Sequence, residues 1–264
     1  MSITPLVSVL MTAYNREEYI EEAIESVLAS SYPHLELIVV DDCSKDRTVE
    51  IARTYEAKDS RVKVFVNETN LGDYLNRNRA ASLAKGEYIK YVDSDDVMFP
   101  SCLKKMVQRM TQFPEAGYGL CAVLDNQTKL CTSPRETYLE HIGGRGHFDR
   151  SPGGSIIKRE AFEKLGGFSG KRQIGDYEFW LKIGAYYSMV KLPFDIYWVR
   201  SHDVQESKVN SEKEKNRMRI QVLKATFAKE QVPLNEKEKE MALKSLDQGF
   251  MRRVIRKVSG MISS

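Results

Sequence analysis

The chain has 264 residues, of which 42% are hydrophobic and 29% are charged, with ordinary numbers of glycine and proline. This composition is typical of a globular protein with one large domain, and it excludes collagen, a simple coiled coil and wholesale disorder. No apolar run approaches the roughly 18 residues of a membrane-spanning helix, and residues 1–14 lack the basic region of a secretory signal. The four cysteines have no C-x-x-C spacing, which favours a reducing cytoplasm over a disulfide framework or a zinc site.

The formal net charge of +3 conceals an uneven distribution along the chain. Residues 208–264 hold 14 basic and 7 acidic residues, whereas residues 1–207 hold 26 basic and 30 acidic residues. We therefore predict a catalytic or binding body over residues 1–207 and a basic helical extension over residues 208–264. An acidic body is suited to a cation-assisted site, and a basic segment is suited to contact with an anionic surface. We expect no nucleic-acid partner.

Two hydrophobic periods alternate along the first 125 residues. Apolar runs predict strands at residues 6–11, 35–40, 62–66 and 87–92. Helical spacing and capping residues predict helices that begin near Asn15, Asp46, Asp73 and Ser101. Alternating strands and helices with short connections predict an α/β fold, in which a Rossmann-like, mostly parallel sheet is flanked by helices.

The second half of the chain is less regular. Residues 141–155 contain five glycines, which predicts a long loop of the kind that often covers a site. A strand at residues 155–158, an amphipathic helix at 176–186 and a strand at 197–200 follow. In the extension, a stripe that includes Leu246 and Phe250 is flanked by arginines. This helix either packs on the body or attaches to an anionic membrane surface, and the sequence leaves both alternatives open.

Polar clusters follow three of the predicted strands, at residues 12–15, at Asp41 and Asp42, and at residues 93–96. Ligands of open parallel sheets bind beyond the carboxyl ends of the strands, so we expect these clusters to meet. The run Asp-Ser-Asp-Asp at 93–96 is either a divalent-metal site that holds a diphosphate or an acidic turn before the next helix. The pair at 41–42 is either a turn or an acceptor for a nucleotide base or ribose.

Other enzyme classes lack their motifs. There is no G-x-G-x-x-G after the first strand, no G-x-x-x-x-G-K-[ST] and no G-x-S-x-G, which disfavours dinucleotide oxidoreductases, P-loop NTPases and serine hydrolases. Asp176 begins a predicted helix and is either a cap or a base. His202 is a metal ligand, a phosphate donor or a surface residue.

The ordered combination of three segments resembles family 2 glycosyltransferases with the GT-A fold. These segments are VSVLMTAYNREEYIEEAIESVL, LELIVVDDCSKDRT and NLGDYLNRNRAASLAKGEYIKYVDSDD. The later SIIKREAFEKLGGF and GDYEFWLKI are similar to the acceptor-side half of that family, and IGDYEFW resembles the base-bearing stretch of SpsA-like members. The resemblance covers roughly residues 4–207. Gly175 stands where many members have glutamate.

The resemblance implies nucleotide-binding roles for the first matching positions. Thr12, Ala13 and Tyr14 would line the nucleotide pocket after the first strand. Either Asp41 or Asp42 would contact the base and ribose.

The later matching positions would complete the site. Arg79 would lie near the phosphates, and Asp93 and Ser94 would lie near the ribose or sugar. Asp95 would hold Mn²⁺ or Mg²⁺, with His202 near the metal and phosphate. Asp176 would be the general base.

The implied activity is inverting, metal-dependent transfer from a nucleotide-diphospho-sugar, most simply UDP-linked, to a hydroxyl of a saccharide or lipid-linked acceptor. We expect it to act in cell-surface polysaccharide biosynthesis, in the cytoplasm or at the inner face of the membrane. One alternative is a nucleotidyltransferase that makes sugar nucleotides, which would need a basic glycine-rich loop near the first strand. The other is a non-catalytic binding subunit, which intact Asp95 and Asp176 disfavour.

Overall fold

The computed structural model describes residues 4–124, 126, 128–193, 196–200, 211–229 and 231–244. Its centre is an eight-stranded, mostly parallel sheet with helices on both faces, which confirms the predicted α/β class. The strands are β1 (Val7–Ala13), β2 (Leu35–Asp41), β3 (Val62–Val66), β4 (Tyr88–Tyr91), β5 (Val97–Met98), β6 (Ala116–Cys121), β7 (Cys131–Thr132), β8 (Ser155–Lys158), β9 (Ser188–Leu192) and β10 (Tyr197–Trp198). The helices are α1 (Ile20–Leu28), α2 (Thr48–Lys58), α3 (Asp73–Ser82), α4 (Cys102–Gln112), α5 (Pro134–Glu140), α6 (Arg159–Lys164), α7 (Gly175–Tyr186) and α8 (Glu212–Phe227).

The strand order across the sheet is β3-β2-β1-β4-β8-β6-β9-β7. Strands β1 to β4 pair in parallel, β8 runs antiparallel between β4 and β6, and β7 runs antiparallel to β9. Strands β5 and β10 form a separate antiparallel ribbon, with Tyr197 opposite Met98. Because Ala13 lies opposite Asp41 in the register of β1 and β2, the loops that follow these strands leave the sheet side by side.

Two hydrophobic clusters cover the two faces of the sheet. Successive residues of β1 alternate between them, with Val9 and Met11 in one cluster and Leu10 in the other. Strands that are covered on both faces need apolar side chains on both, which explains why adjacent residues of β1, such as Val9, Leu10 and Met11, are all apolar.

The first helix begins later than the capping pattern predicts. It starts at Ile20, and Asn15 has a left-handed backbone with φ of 51°. The side-chain oxygen of Asn15 accepts a hydrogen bond from Lys45 N at 2.9 Å, and its backbone N–H donates to Ser44 Oγ at 2.8 Å. The predicted N-cap is therefore wrong, since Asn15 instead joins the loop after β1 to the loop after β2.

The glycine-rich segment contains more structure than a long loop. A π-helical turn covers His141–Arg145, and a 3-10 turn covers Pro152–Gly154. Between these turns, His147 and Phe148 are buried and fix the middle of the segment to the body. The predicted strand at 197–200 is limited to the two residues of β10.

The described part of the extension packs on the body. Leu223 and Phe227 of α8 belong to the same hydrophobic cluster as Trp180 of α7, and residues 236–244 form a further helical segment. The division at residue 207 stays a prediction. The stripe around Leu246 and Phe250, with its membrane contact, lies outside the described residues. Within the described residues, no helix is both long enough and apolar enough to cross a bilayer.

Candidate functional site

A cleft of about 730 Å³ lies at the carboxyl edge of the sheet. Its floor consists of the residues that follow β1, β2 and β4, together with the first turns of α3. Residues 148–152, residues 170–177 and the start of α8 supply the opposite side. Asp95 and Asp176, which are 81 positions apart in the sequence, both line this one cleft.

Thr12 and Ala13, at the end of β1, and Tyr14, in the loop that follows, line the cleft. Their role in a nucleotide pocket stays a prediction from the sequence. Tyr14 is 46% exposed and is therefore accessible to a ligand. Arg16, which sequence reasoning missed, extends from the same loop, and its Nε donates to Asp95 Oδ2 at 3.2 Å.

The two carboxylates after β2 have different positions. Asp42 lines the cleft, and its carboxylate accepts hydrogen bonds from the backbone N–H groups of Leu71 and Gly72 at 2.8 and 2.9 Å. Both residues are buried, but Asp41 is outside the cleft lining, and it accepts from the backbone N–H of Ser44 at 2.8 Å. The structure therefore places Asp42, rather than Asp41, where a nucleotide could contact it.

Helix α3 directs Arg77 toward the cleft, whereas Arg79 is exposed and absent from the cleft lining. Arg77 is buried, and it donates to Asp73 Oδ1 at 2.8 Å and to Asp93 Oδ1 at 2.6 Å. Its Nη1 has no hydrogen-bond partner among the described residues. A substrate oxygen could satisfy this buried donor, so Arg77 matches the role expected of Arg79 better than Arg79 does. The signal in the sequence was the spacing of four residues between Asp73 and Arg77.

The acidic segment after β4 is held by two arginines. Asp93 pairs with Arg77, and Asp95 pairs with Arg16. Asp96 is buried and accepts the backbone N–H of Arg200 at 3.1 Å. Burial first, and then the neighbouring carboxylate of Asp93, raise the pKa of Asp96 to about 7.

Ser94 is buried and also lines the cleft. Arg200 ties the segment after β10 to this acidic segment, because its Nε donates to the backbone oxygen of Asp95 at 3.2 Å. His202, the second predicted metal ligand, lies outside the described residues.

Asp176 lies in the first turn of α7, where the helix dipole stabilises negative charge. Its Oδ1 accepts the backbone N–H of Tyr177 at 2.7 Å, and the hydroxyl of Tyr74 is a second hydrogen-bond partner. Burial, the largest influence, raises the pKa of Asp176 to about 6, and these two hydrogen bonds lower it in part. The carboxylate is therefore ionised above about pH 6 and can accept a proton there.

The acidic segment also fits the chemistry of a divalent cation. Among the described residues, no three His, Cys, Asp or Glu side chains form a complete metal cage. Mn²⁺ and Mg²⁺ at phosphate-transfer and nucleotide sites need fewer protein ligands, because one or two carboxylates and the substrate phosphates complete the coordination. Asp95 and Asp93, both partly exposed and both in the cleft lining, supply such oxygen donors.

The fold defines an α/β protein whose ligand cleft lies at the carboxyl edge of its sheet. The family model described as Glycosyl transferase family 2 matches residues 8–166, which is more than half of the chain. The chain belongs to glycosyl transferase family 2, which confirms the resemblance seen in the sequence.

One relative in this family is the putative teichuronic acid biosynthesis glycosyltransferase TuaG of Bacillus subtilis (strain 168). It is 43% identical over 122 residues, which cover 45% of this chain and 48% of TuaG. The chain thus matches about half the length of this curated relative.

Two solved structures share the fold. TarS of S. aureus in complex with UDP-GlcNAc has a TM-score of 0.69 at 23% identity, with 90% of this chain and 70% of that chain covered. The mannosyltransferase PcManGT from Pyrobaculum calidifontis, in complex with GDP-Man and Mn²⁺, has a TM-score of 0.66 at 20% identity. The match covers 96% of this chain and 76% of PcManGT. At these identities the likeness shows the fold, and it confirms the GT-A fold expected from the sequence.

Proposed function

We propose that this protein transfers a glycosyl group, with inversion, from a nucleotide-diphospho-sugar to a hydroxyl of a saccharide or lipid-linked acceptor. The observation that carries the proposal is that Asp95 and Asp176 line the same cleft. One carboxylate is then available to the diphosphate end of a donor and another to an attacking hydroxyl. A UDP-linked donor is our first choice, because the TarS structure with the same fold contains UDP-GlcNAc.

In this proposal the nucleotide lies on the floor of the cleft. Thr12, Ala13 and Tyr14 contact the base from one side, and Asp42 contacts the base or ribose from the other. Arg77 donates its unpartnered Nη1 to a phosphate or sugar oxygen.

Asp93 and Ser94 lie beside the ribose or sugar. Asp95, with Asp93, holds Mn²⁺ or Mg²⁺, and the fold relative PcManGT contains Mn²⁺ together with GDP-Man. Such a cation, when bound, stabilises the negative charge that develops on the departing diphosphate.

Asp176 is the proposed base. As the acceptor oxygen forms its bond to the anomeric carbon, the bond from that carbon to the diphosphate oxygen breaks, and the acceptor proton passes to the Asp176 carboxylate. A single displacement assisted by one base inverts the anomeric centre. The pKa of about 6 keeps this group ionised at neutral pH and still basic enough to accept the proton.

We further propose a role in the biosynthesis of a cell-surface polysaccharide, at the cytoplasmic side of the membrane. The support comes from TuaG, whose name refers to teichuronic acid biosynthesis.

Calorimetry and turnover measurements on three forms of the protein test the proposal. We expect UDP to bind the wild-type protein at least tenfold more tightly with Mn²⁺ than with EDTA, and Asp95→Asn to remove that difference. Asp176→Asn should bind UDP within twofold of wild type. Its turnover, measured as the rate of UDP release from a panel of UDP-sugars, should be at least a hundredfold lower than that of wild type, because only the base is removed. Equal UDP affinity in EDTA would exclude the metal role, and near-normal turnover of Asp176→Asn would exclude it as the base.

A further inference from the structure

The two carboxylates proposed to hold a divalent cation, Asp93 and Asp95, are each paired with an arginine. Arg77 Nη2 lies 2.6 Å from Asp93 Oδ1, and Arg16 Nε lies 3.2 Å from Asp95 Oδ2. A divalent cation on either carboxylate would lie next to a guanidinium, and like charges at such short separations repel each other. The binding of a cation is therefore linked to the behaviour of these two arginines.

Arg77 is held in place more firmly than Arg16. Its side chain is only 8% exposed, and it pairs with Asp73 as well as with Asp93. The guanidinium carbon also lies 5.5 Å from the ring centroid of Tyr91. Separating a buried charge from its partners is strongly unfavourable, so we expect Arg77 to keep its position when a ligand enters the cleft.

The side chain of Arg16 can leave Asp95 without leaving the cleft. It is 23% exposed, and ion pairs that water can reach lose little free energy when they separate. Its Nη1 donates to the backbone oxygens of Tyr14 at 3.1 Å and Asn15 at 3.0 Å, which are contacts within its own loop. Its backbone N–H donates to Thr48 Oγ1 at 2.7 Å, so the main chain is fixed separately. Arg16 is thus the arginine that a cation can displace.

Displacement of Arg16 leaves a positive charge that an anion can neutralise. With a divalent cation on Asp95, the guanidinium would lie in the cleft without its carboxylate. An anion that enters together with the cation compensates both charges, because its oxygens accept from the guanidinium and also coordinate the metal. A diphosphate has enough oxygens for both contacts. The cation and the nucleotide should therefore bind more tightly together than separately, which is a coupling free energy between the two ligands.

We propose that Arg16 is a displaceable counter-ion of Asp95, which competes with the divalent cation for this carboxylate and makes cation binding depend on the nucleotide. This inference rests on the proposed function, because it takes Asp95 as a metal ligand and a nucleoside diphosphate as the ligand of the cleft. Arg16 acts through Asp95 and is therefore a positioning residue.

The test titrates Mn²⁺ into the full chain in the absence of nucleotide, with calorimetry as the readout. Arg16→Gln should bind Mn²⁺ at least tenfold more tightly than wild type, because the competing charge is removed. Arg16→Lys keeps a positive charge and should stay closer to wild type than to Arg16→Gln. The double variant Arg16→Gln/Asp95→Asn should lose the gain, which would show that the additional affinity comes from Asp95.

Arg47 supplies a matched control. Its Nη2 pairs with Glu50 Oε1 at 3.0 Å, and both residues are outside the cleft lining. Arg47→Gln should therefore bind Mn²⁺ within twofold of wild type. Saturating UDP should strengthen Mn²⁺ binding by a factor at least fivefold larger in wild type than in Arg16→Gln, because the variant has no displaced charge for the diphosphate to neutralise.

A measurement on the wild-type protein keeps the test independent of how well the variants fold. The Nε–H resonance of Arg16 can be assigned by its loss in Arg16→Lys. It should shift when Mg²⁺ and UDP are added together, as the guanidinium leaves Asp95, and it should change little with Mg²⁺ alone.

Three results would overturn the counter-ion role. These are Mn²⁺ affinity of Arg16→Gln no higher than that of wild type, equal strengthening by UDP in the two proteins, and an Arg16 resonance that is unchanged at saturation with both ligands. If wild type fails to bind UDP with any metal, the proposed function fails by itself. The nucleotide-free Mn²⁺ titrations of Arg16→Gln and of its Asp95→Asn derivative still decide whether the two cations compete.

Discussion

The ring of Tyr74 lies directly against Gly175, so closely that a Cβ atom at position 175 would be 2.8 Å from Tyr74 Cδ2. This contact explains why glycine occupies a position where the family resemblance leads one to expect glutamate. A larger residue at 175 would overlap a ring whose hydroxyl is a hydrogen-bond partner of Asp176. The glycine therefore lets Tyr74 and the proposed base approach each other.

Gly175→Ala should destabilise the protein, even though alanine is the better helix former. Alanine gains up to about 1 kcal/mol of helix propensity, whereas overpacking in a buried site costs about 1–3 kcal/mol. We expect a net loss of about 1 kcal/mol in denaturant unfolding and a measurable fall in turnover as Asp176 shifts. Gly143→Ala is the control, because an added Cβ there meets nothing within 4 Å.

A double-mutant cycle with Tyr74→Ala separates the contact from other effects. Removing the ring should relieve most of the cost of Gly175→Ala, which gives a coupling free energy of about 1 kcal/mol. Additive effects of the two substitutions would show that the contact is not the cause.

The pH dependence of both activity and stability should report Asp176. Because burial raises its pKa to about 6, turnover should fall as the pH decreases through 6 and the base becomes protonated. A raised carboxyl pKa also means that the folded state favours the neutral acid, so stability is lost as the pH rises through 6. Asp176→Asn should therefore raise the melting temperature by a few degrees at pH 8 and leave it nearly unchanged at pH 4. A melting temperature of Asp176→Asn below that of wild type at pH 8 would contradict the conclusion that burying the ionised carboxylate destabilises the folded protein.

Arg77 and Arg79 form a matched pair on one helix. Arg77→Gln leaves Asp73 and Asp93 without their shared cation, so we expect a loss of about 2–4 kcal/mol in unfolding free energy and at least tenfold in UDP affinity. Arg79→Gln removes an exposed guanidinium and should change stability by less than about 0.5 kcal/mol. Equal effects of the two substitutions on UDP affinity would instead support the original prediction that Arg79 lies near the phosphates of the donor.

Lys90 is a buried cation in the central strand β4. Its Nζ donates to the backbone oxygens of Tyr91, at 2.6 Å, and Gly153, and it lies 5.2 Å from the ring centroid of Tyr197. The ammonium thus joins the end of β4 to the 3-10 turn at Pro152–Gly154, which adjoins the cleft-lining residues before it. Burial lowers its pKa.

Lys90→Met should cost about 2–4 kcal/mol in unfolding free energy, because two buried carbonyl groups lose their donor and each costs about 1–3 kcal/mol. Turnover should fall further than UDP affinity, since the displaced turn lies on the side of the cleft opposite the nucleotide. Chemical denaturation and calorimetry measure the two effects. Lys63→Met, at an exposed position of β3, is the control and should match wild type.

The sheet could be predicted where both of its faces are buried. Strands β1 to β4 are rich in apolar residues, and their positions agree with the predicted runs within two residues at each end. Strand β6 was missed because two glycines interrupt it, although the packing requires them, since a Cβ at Gly117 would be 2.6 Å from Tyr187. Strand β9 was missed because it contains Lys191, whose charge pairs with Glu140, 51 positions earlier in the sequence, at 2.7 Å.

The candidate site likewise contains some residues that could be predicted from the sequence and others that could not. Carboxylates such as Asp95 follow directly after an apolar strand, so their place at the edge of the sheet could be inferred from local sequence. The positions of Arg77 and Arg219 in the cleft lining depend on which side of a helix packs on the body, and this is decided by contacts with segments far away in the chain. Asn15 shows the same limit, because its partner Lys45 lies 30 residues later.

The two sides of the cleft come from separate stretches of the chain, the floor from residues before β5 and the opposite side from residues after β6. Under the proposed function, exposed positions of the later stretch would decide which acceptor is bound, whereas the earlier stretch would decide which activated sugar is bound. A chimera that exchanges these stretches between two such enzymes must therefore preserve the contacts that join them, such as Tyr74 against Gly175 and Lys90 with Gly153.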